Sequence, residues 1–157
     1  MNINLISVGN RMPRWVLEGY EEYAKRLPPE CALHLREIAP GHRGKNSDTA
    51  RTLRDEGERI LKAIPKGCRV IALDVLGNAW NTQQLSNKLE GWMADGQDLA
   101  LLVGGPEGLA PESLAAAELR WSLSPLTLPH PLVRVVLAEQ LYRAWSLMRN
   151  HLYHRGG

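Results

Sequence analysis

The sequence predicts an α/β protein built on a parallel β-sheet, and three observations lead to this prediction. Residues 68–73 (CRVIAL) and 99–103 (LALLV) are almost wholly apolar, as is typical of strands covered on both faces of a parallel sheet. Segments with helical periodicity lie between the strand candidates, and such alternation favours parallel pairing. A length of 157 residues suits one domain with its own core, so we expect residues 1–157 to form a single unit.

Each element has its own signal in the sequence. Alternating apolar residues predict the first strand at Asn2–Val8. Pro13 suits a helix start, and the apolar spacing from Trp15 to Leu27 continues that helix as far as Pro28. The same reasoning predicts a strand at 33–38, a helix at 48–64 with Asp48 as N-cap, a helix at 82–94, a helix starting near 111, a short strand opening at 121 and a helix at 131–150.

Composition narrows the classes of function. Cys31 and Cys68 form no CxxC unit, which favours a reducing cytoplasm over a disulfide framework or a thiolate metal site. No run approaches the roughly twenty apolar residues that span a bilayer, so we expect no membrane partner. The net charge of +2 is too small to indicate nucleic acid, but residues 1–70 hold 13 of the 19 Lys and Arg residues. Residues 40–46 (PGHRGKN) form a basic, glycine-bounded segment that suits phosphate contact.

Three turn-forming segments follow predicted strands, and ligands of parallel sheets bind beyond the carboxyl ends of the strands. These segments are residues 73–80 (LDVLGNAW), 102–109 (LVGGPEGL) and 123–130 (LSPLTLPH). The glycine turn matches neither GxGxxG nor the Walker pattern, which disfavours a dinucleotide or a triphosphate. By itself it is as well explained by a plain strand-to-helix turn, and Asp74 could hold a ribose or only form a turn.

Prolines and apolar residues give the last third of the chain an unusual pattern. Pro125, Pro129 and Pro131 keep the backbone before the final helix out of a regular ladder, so its polar groups need other partners, such as a purine or the protein itself. The final helix is apolar on nearly every side, which predicts burial all round and hence a partner subunit. Glu139 and Arg143, four residues apart, could simply pair with each other.

The C-terminal segment NHLYHRGG concentrates a stacking ring, an imidazole and a guanidinium in Tyr153, His154 and Arg155. Most chain ends carry no function, but these three groups are well suited to hold a nucleotide. Histidine can ligate a metal, yet no carboxylate or thiolate cluster accompanies these residues, so we expect no metal.

Several of these segments together resemble one enzyme family. LVGGPEGL, LTLPHPLVRVVLAEQLYRAW, the terminal YHR, VGNRMPRWV near the start and GKN at 44–46 resemble the ribosomal RNA large subunit methyltransferase H family of the SPOUT superfamily. The resemblance covers essentially the whole chain. It implies a parallel α/β sheet with a C-terminal trefoil knot, and methyl transfer from S-adenosylmethionine to N3 of pseudouridine 1915 in 23S rRNA.

The resemblance also implies which residues form the site. The methyl donor would be held at the ends of three strands by Leu73, Gly104, Leu123, Ser124, Pro125, Leu126, Thr127 and Leu128. Our hypothesis gives the catalytic roles to the tail: Tyr153 and His154 orient a flipped pseudouridine, and Arg155 neutralises a phosphate or the developing imide anion. Arg134 and Arg143 are second candidates for contacts to RNA or the tail, His130 acts from the rim of the loop, and Asp74 and Glu107 are weaker candidates for the base.

Partners follow from the same resemblance. Family members are homodimers with active sites completed across the interface, and they lack a separate RNA-binding domain. The resemblance therefore implies a cytoplasmic homodimer that binds 23S rRNA within the assembled ribosome. Two other classes stay open on the residues alone. A non-catalytic ribosome-associated module would explain the basic half and the tail without needing three cofactor-shaped turns, and a nucleotide-dependent oxidoreductase would use the strand ends but lacks the phosphate fingerprint.

Overall fold

The computed structural model describes residues 1–44, 48–151 and 153. Its five strands are β1 (Asn2–Val8), β2 (Ala32–Ile38), β3 (Arg69–Ala79), β4 (Leu99–Val103) and β5 (Leu119–Ser122). Its five α-helices are α1 (Arg14–Ala24), α2 (Thr49–Ala63), α3 (Thr82–Asp95), α4 (Pro111–Ala116) and α5 (His130–Met148), and a 3-10 turn lies at Pro29–Cys31.

The strands form one parallel sheet in the order β2-β1-β4-β3-β5. Every strand pair in it is parallel, which confirms the predicted fold class. The trefoil knot that the resemblance implies stays a prediction. Because the strands all run one way, the loops that follow β1, β3, β4 and β5 reach the same edge of the sheet.

Helices cover both faces of the sheet and enclose two apolar clusters. On one face, α1, α3 and α5 pack around a core that includes Leu5, Leu89 and Leu141. On the other face, α2 packs over Ile6 and Leu102 of the sheet. This explains the apolar runs of β1 and β4, because side chains on both faces of the sheet pack against a hydrophobic layer.

Helix ends follow the predicted signals closely, with a few shifts. Asp48 caps α2, since its side chain accepts a hydrogen bond from the Ala50 N–H. Helix α3 begins with a capping box between Asn81 and Gln84. Helix α1 ends at Ala24, before the predicted end at Leu27, and residues 25–27 continue as turns that lead to Pro28. In the described part of the chain no helix is long and apolar enough to cross a membrane.

Strand β3 departs most from the sequence prediction. It was predicted to end near Leu73, but it continues to Ala79 through an irregularity between Leu73 and Asn78. Both of these residues pair with Trp121 of β5, so the intervening residues bulge out of the ladder. A Cβ on Gly77 would lie 2.6 Å from the Arg120 backbone, and this close approach explains the glycine there.

Candidate functional site

A cavity of about 750 Å³ opens at the carboxyl edge of the sheet, beyond β3, β4 and β5. The three turn segments identified in the sequence meet there, as expected because ligands of parallel sheets bind beyond the carboxyl ends of the strands. Most of the predicted cofactor residues line it, namely Leu73, Gly104, Leu123, Ser124, Leu126, Thr127 and Leu128. Pro125 is in the same loop but does not line the cavity. The size suits an organic ligand such as a nucleoside derivative.

The glycine turn after β4 forms one wall of the cavity. The Gly108 N–H donates to the Gly105 carbonyl at 2.9 Å, and Gly108 has a φ of 81°, which favours glycine. A Cβ on Gly104 would lie 2.3 Å from the Gly108 carbonyl group, so only glycine fits at Gly104. The wall is therefore bare backbone, which lets a ligand approach closely.

The opposite wall is aromatic and apolar. Trp121 of β5 lines the cavity and is almost fully buried, and its ring stacks on Trp80 with centroids 5.1 Å apart. Leu73 precedes the bulge of β3, which carries Val75 into the cavity lining as well. An apolar lining that includes an aromatic side chain suits an adenine or another planar group.

The proline-bounded loop closes the cavity from the side. The Ser124 hydroxyl accepts from the Leu126 N–H at 2.9 Å, and the Ser122 hydroxyl donates to the Ser124 carbonyl at 3.1 Å. These bonds fix the turn, while Leu126 is left 73% exposed at the rim. Asp74, the possible ribose ligand, also lines the cavity, but one of its carboxylate oxygens accepts from the Leu76 N–H.

A cluster of charges lies beside the glycine turn, and the sequence did not predict its arrangement. Arg43 pairs with Glu56 at 2.7 Å and donates from Nε to Glu107 at 2.8 Å. Glu56 is 2% exposed and also accepts from the Gly41 N–H. Arg43 was proposed for phosphate contact, but its guanidinium is occupied by two carboxylates. The hydrogen bond from Arg43 lowers the pKa of Glu107, which makes Glu107 a poor base.

Helix α5 brings two more of the predicted candidates to the site. His130 at its first turn lines the cavity, and burial, Arg134 and Arg43 lower the pKa of its imidazole. Arg134, a second candidate for contacts to RNA or the tail, is fully buried and pairs with Glu37 at 2.9 Å, which is the environment of a structural cation. Among residues 1–44, 48–151 and 153, no three His, Cys, Asp or Glu side chains group as metal ligands.

Tyr153 does not line the cavity of its own chain. Its hydroxyl lies 3.2 Å from Glu139 of α5, and the Arg143 guanidinium lies 4.9 Å from its ring centroid. Burial and the charge of Glu139 raise the pKa of Tyr153 to about 12. The predicted pair of Glu139 and Arg143 is present, at 2.6 Å. His154 and Arg155 lie outside the described residues.

The fold and the cavity together define an α/β protein that takes a small ligand beyond the ends of its parallel strands. A family described as "Predicted SPOUT methyltransferase" matches residues 1–154. The chain belongs to this SPOUT methyltransferase family. The expectations that it is a methyltransferase and that S-adenosylmethionine is its methyl donor are thereby confirmed, which disfavours both the oxidoreductase and the non-catalytic module.

Near relatives span the whole chain. A protein named ribosomal RNA large subunit methyltransferase H from Thioalkalivibrio sulfidiphilus is 62% identical over 155 residues, which are 99% of each chain. One of the same name from a Marinomonas species is 59% identical and covers 99% of this chain and 100% of its own. These names confirm the family resemblance seen in the sequence.

One solved structure is similar to this chain in fold only. It is described as a probable rRNA-methyltransferase from Porphyromonas gingivalis, with a TM-score of 0.53 at 14% identity, and the match covers 93% of this chain and 68% of that one.

Proposed function

We propose that this chain transfers the methyl group of S-adenosylmethionine to N3 of pseudouridine 1915 in 23S rRNA. It would act as one catalytic domain spanning residues 1–157, in the cytoplasm, on the assembled ribosome. The observation that supports this most is the cavity formed by the three turn segments, in a chain whose near relatives bear the name of a large-subunit rRNA methyltransferase.

The residues present fit the proposed donor. The bare backbone at Gly104 admits close contact, Trp121 adds an aromatic side chain to the lining, and Leu73 with the loop from Leu123 to Leu128 gives an apolar enclosure. Bound there, the sulfonium supplies a methyl group that is already activated. What remains for the protein is to align the acceptor nitrogen with that group and to remove the N3 proton, and alignment of this kind contributes strongly to a two-substrate reaction.

The tail residues Tyr153, His154 and Arg155 are proposed to hold the acceptor nucleotide. As the family resemblance implies, we propose that the tail of one subunit serves the cavity of the other. The packing of Tyr153 on α5, away from its own cavity, supports this proposal. A chain that stops before Tyr153 should therefore bind the donor with unchanged affinity and lose methyl transfer. Full activity in that truncated chain would remove the tail from the mechanism.

A homodimer is supported by apolar surface on two helices. Trp15 and Leu17 of α1 are 57% and 44% exposed, and α5 leaves Leu132, Val133, Val135 and Val136 only partly covered. Sedimentation over a range of concentrations should give a mass of twice 17.5 kDa. A protein that stays monomeric at the concentration at which it is fully active would contradict the shared site.

The substrate is tested directly by mass spectrometry of 23S rRNA. Ribosomes that lack the modification are incubated with the protein and a methyl-labelled donor, and the fragment that contains pseudouridine 1915 is sequenced. We expect one methyl group on N3 of that nucleotide, and far less on free 23S rRNA than on assembled ribosomes. A label at another nucleotide, or only on free RNA, would refute the proposal while leaving the methyltransferase assignment intact.

A further inference from the structure

A second cavity, of about 520 Å³, lies directly beside the donor cavity. It opens between the segment that follows β1 and the start of α5. The two cavities share Pro106 and His130, so these residues form a partition between them. A methyl acceptor must reach the donor from an adjoining space, and this cavity adjoins the donor site on the described part of the chain.

The wall of the second cavity is held in place by buried contacts. Gly9 has a φ of 118°, and its N–H donates to the Ile38 carbonyl at 2.8 Å. Its carbonyl accepts from Arg134 at 3.2 Å. A Cβ on Gly9 would lie 2.4 Å from Met12 and 3.3 Å from His130 Nε2, so bare backbone lets the imidazole edge pass close by. The segment is therefore a fixed surface with His130 directly against it.

Among the described residues that line this cavity, one cation is left for an anionic ligand. Arg43 lines it but is paired with Glu56 and Glu107, so its positive charge is already neutralised. Arg11 also lines it and is exposed, and no described carboxylate pairs with it. The Arg11 guanidinium can therefore bind a phosphate, and contacts of this kind to the nucleic-acid backbone position a nucleotide.

The imidazole of His130 is available to take a proton. No described residue makes a hydrogen bond to its ring. The charged groups that face it are Arg134 on α5, Arg43 after β2 and Glu56 on α2, and burial together with the two arginines lowers its pKa. The ring is therefore neutral at pH 7, which is the form that a general base requires.

We propose that the second cavity is the acceptor pocket, in which Arg11 binds a phosphate of the target nucleotide and His130 takes the N3 proton. This inference rests on the proposed function and extends it. In the step, a bond forms between N3 and the methyl carbon, and the N3 proton moves to the His130 imidazole and then to water. The electron pair of the broken carbon–sulfur bond stays on sulfur, so charge and atoms balance.

The Arg11 role is tested with Arg11→Ala and a matched control, Arg14→Ala. Arg14 is an exposed arginine three residues away whose guanidinium pairs with Glu18. For Arg11→Ala we expect an unchanged donor Kd, ribosome binding weakened about tenfold, and a salt dependence of log K shallower by roughly one. The control should match the wild type. An unchanged affinity and salt slope in Arg11→Ala would overturn the phosphate role, whichever nucleotide is methylated.

The His130 role is tested with His130→Gln. We expect kcat at saturating donor to fall roughly 10²- to 10⁴-fold, since a positioned base contributes about that much. The acid limb of the wild-type pH profile, at a pH below the ordinary histidine pKa of about 6.5, should vanish in the variant. A kcat that is unchanged at saturating donor would remove His130 from the proton transfer, and an unchanged pH profile would exclude it as the base. If the wild type methylates its rRNA, either of these results for the variant overturns this inference and leaves the proposed function unaffected.

Discussion

Replacing Arg134 with methionine removes the buried cation that joins α5 to the sheet. Its guanidinium donates to Glu37 at 2.9 Å, to the Gly9 carbonyl at 3.2 Å and to the Ser7 hydroxyl at 3.3 Å. Arg134 itself is fully buried, whereas the Glu37 side chain is 32% exposed. Methionine keeps most of the volume of the aliphatic stem, so the change isolates the polar contacts.

The expected loss follows from these contacts. Breaking a buried ion pair by removing one partner costs about 3–5 kcal/mol, because the other partner is left without a counter-charge. Here Glu37 can still reach water, which places the loss at the lower end, at about 3 kcal/mol. For a chain of this length each kcal/mol lowers Tm by about 2–4 °C, so we expect a decrease of roughly 6–12 °C.

Urea unfolding measures this change, with the m-value as a check that the unfolded state is the same. Arg54→Met is a matched control, since Arg54 is exposed on α2 and should change the free energy of unfolding by at most about 0.5 kcal/mol. A second variant, Glu37→Gln, allows a double-mutant cycle with Arg134→Met. A loss below about 1 kcal/mol for Arg134→Met, or a coupling energy near zero, would show that the buried network does not stabilise the fold as argued.

Three further changes test single contacts. Gly104→Ala should weaken donor binding at least about tenfold in calorimetry, because its Cβ would meet the Gly108 carbonyl group. The control Gly91→Ala, where no atom lies within 4 Å of the added Cβ, should bind the donor normally and be about 1 kcal/mol more stable. Equal donor affinities of the two variants would contradict the tight turn. Glu139→Gln should lower the Tyr153 pKa from about 12, since the loss of a neighbouring negative charge eases ionisation, and an unchanged tyrosinate absorbance titration would show that the pair is absent in solution. Ser86→Ala should cost about 1 kcal/mol in urea unfolding, because the Ser86 hydroxyl donates to the Ala144 carbonyl at 2.9 Å in a buried contact between α3 and α5. No loss would mean that this bond adds nothing to the free energy of unfolding.

Local pattern predicted most of the elements but could not predict the course of β3. The residues after Leu73 include aspartate, glycine and asparagine, which are typical of turns. In the structure the strand resumes because Asn78 and Ala79 pair with Trp121 and Ser122 of β5. That pairing joins residues more than forty positions apart, so no local period reveals it. Turn-forming residues inside a strand are the sequence signal of a bulge, but the pairing that follows them is visible only in the structure.

The candidate site was predicted unevenly for the same reason. The cavity lining could be anticipated, since strand ends meet at one edge of a parallel sheet and the resemblance named the residues. The ion pair of Arg43 with Glu107 spans 64 positions and that of Arg134 with Glu37 spans 97, and nothing in the sequence pairs them. A signal did exist for Glu56. It lies four residues after Thr52 and four before Ile60, on the buried stripe of α2, where a carboxylate requires a partner.

Helix α5 links the donor loop to the tail, and its length supports our proposal that the tail acts on the partner. Nineteen residues span about 28 Å, with His130 at one end and the contact of Tyr153 with Glu139 near the middle. Reaching its own cavity would require Tyr153 to leave Glu139, Arg143 and the Tyr142 ring. In a two-fold dimer, the same tail can remain docked on α5 and still face the other cavity, provided that α5 lies in the interface.

Mixed dimers test this arrangement. One chain stops before Tyr153 and keeps a sound donor cavity, and the other carries Gly104→Ala and keeps its tail. With the donor held well below its weakened Kd for Gly104→Ala, each protein alone should have little or no activity. If the tail acts across the interface, a mixture at equal amounts should recover roughly a quarter of wild-type activity, since half of the dimers are mixed and one of their two sites is complete. If each tail serves its own cavity, every site in the mixture has one defect and the activity stays at zero. Only the first outcome agrees with a tail that is anchored on α5 through Glu139.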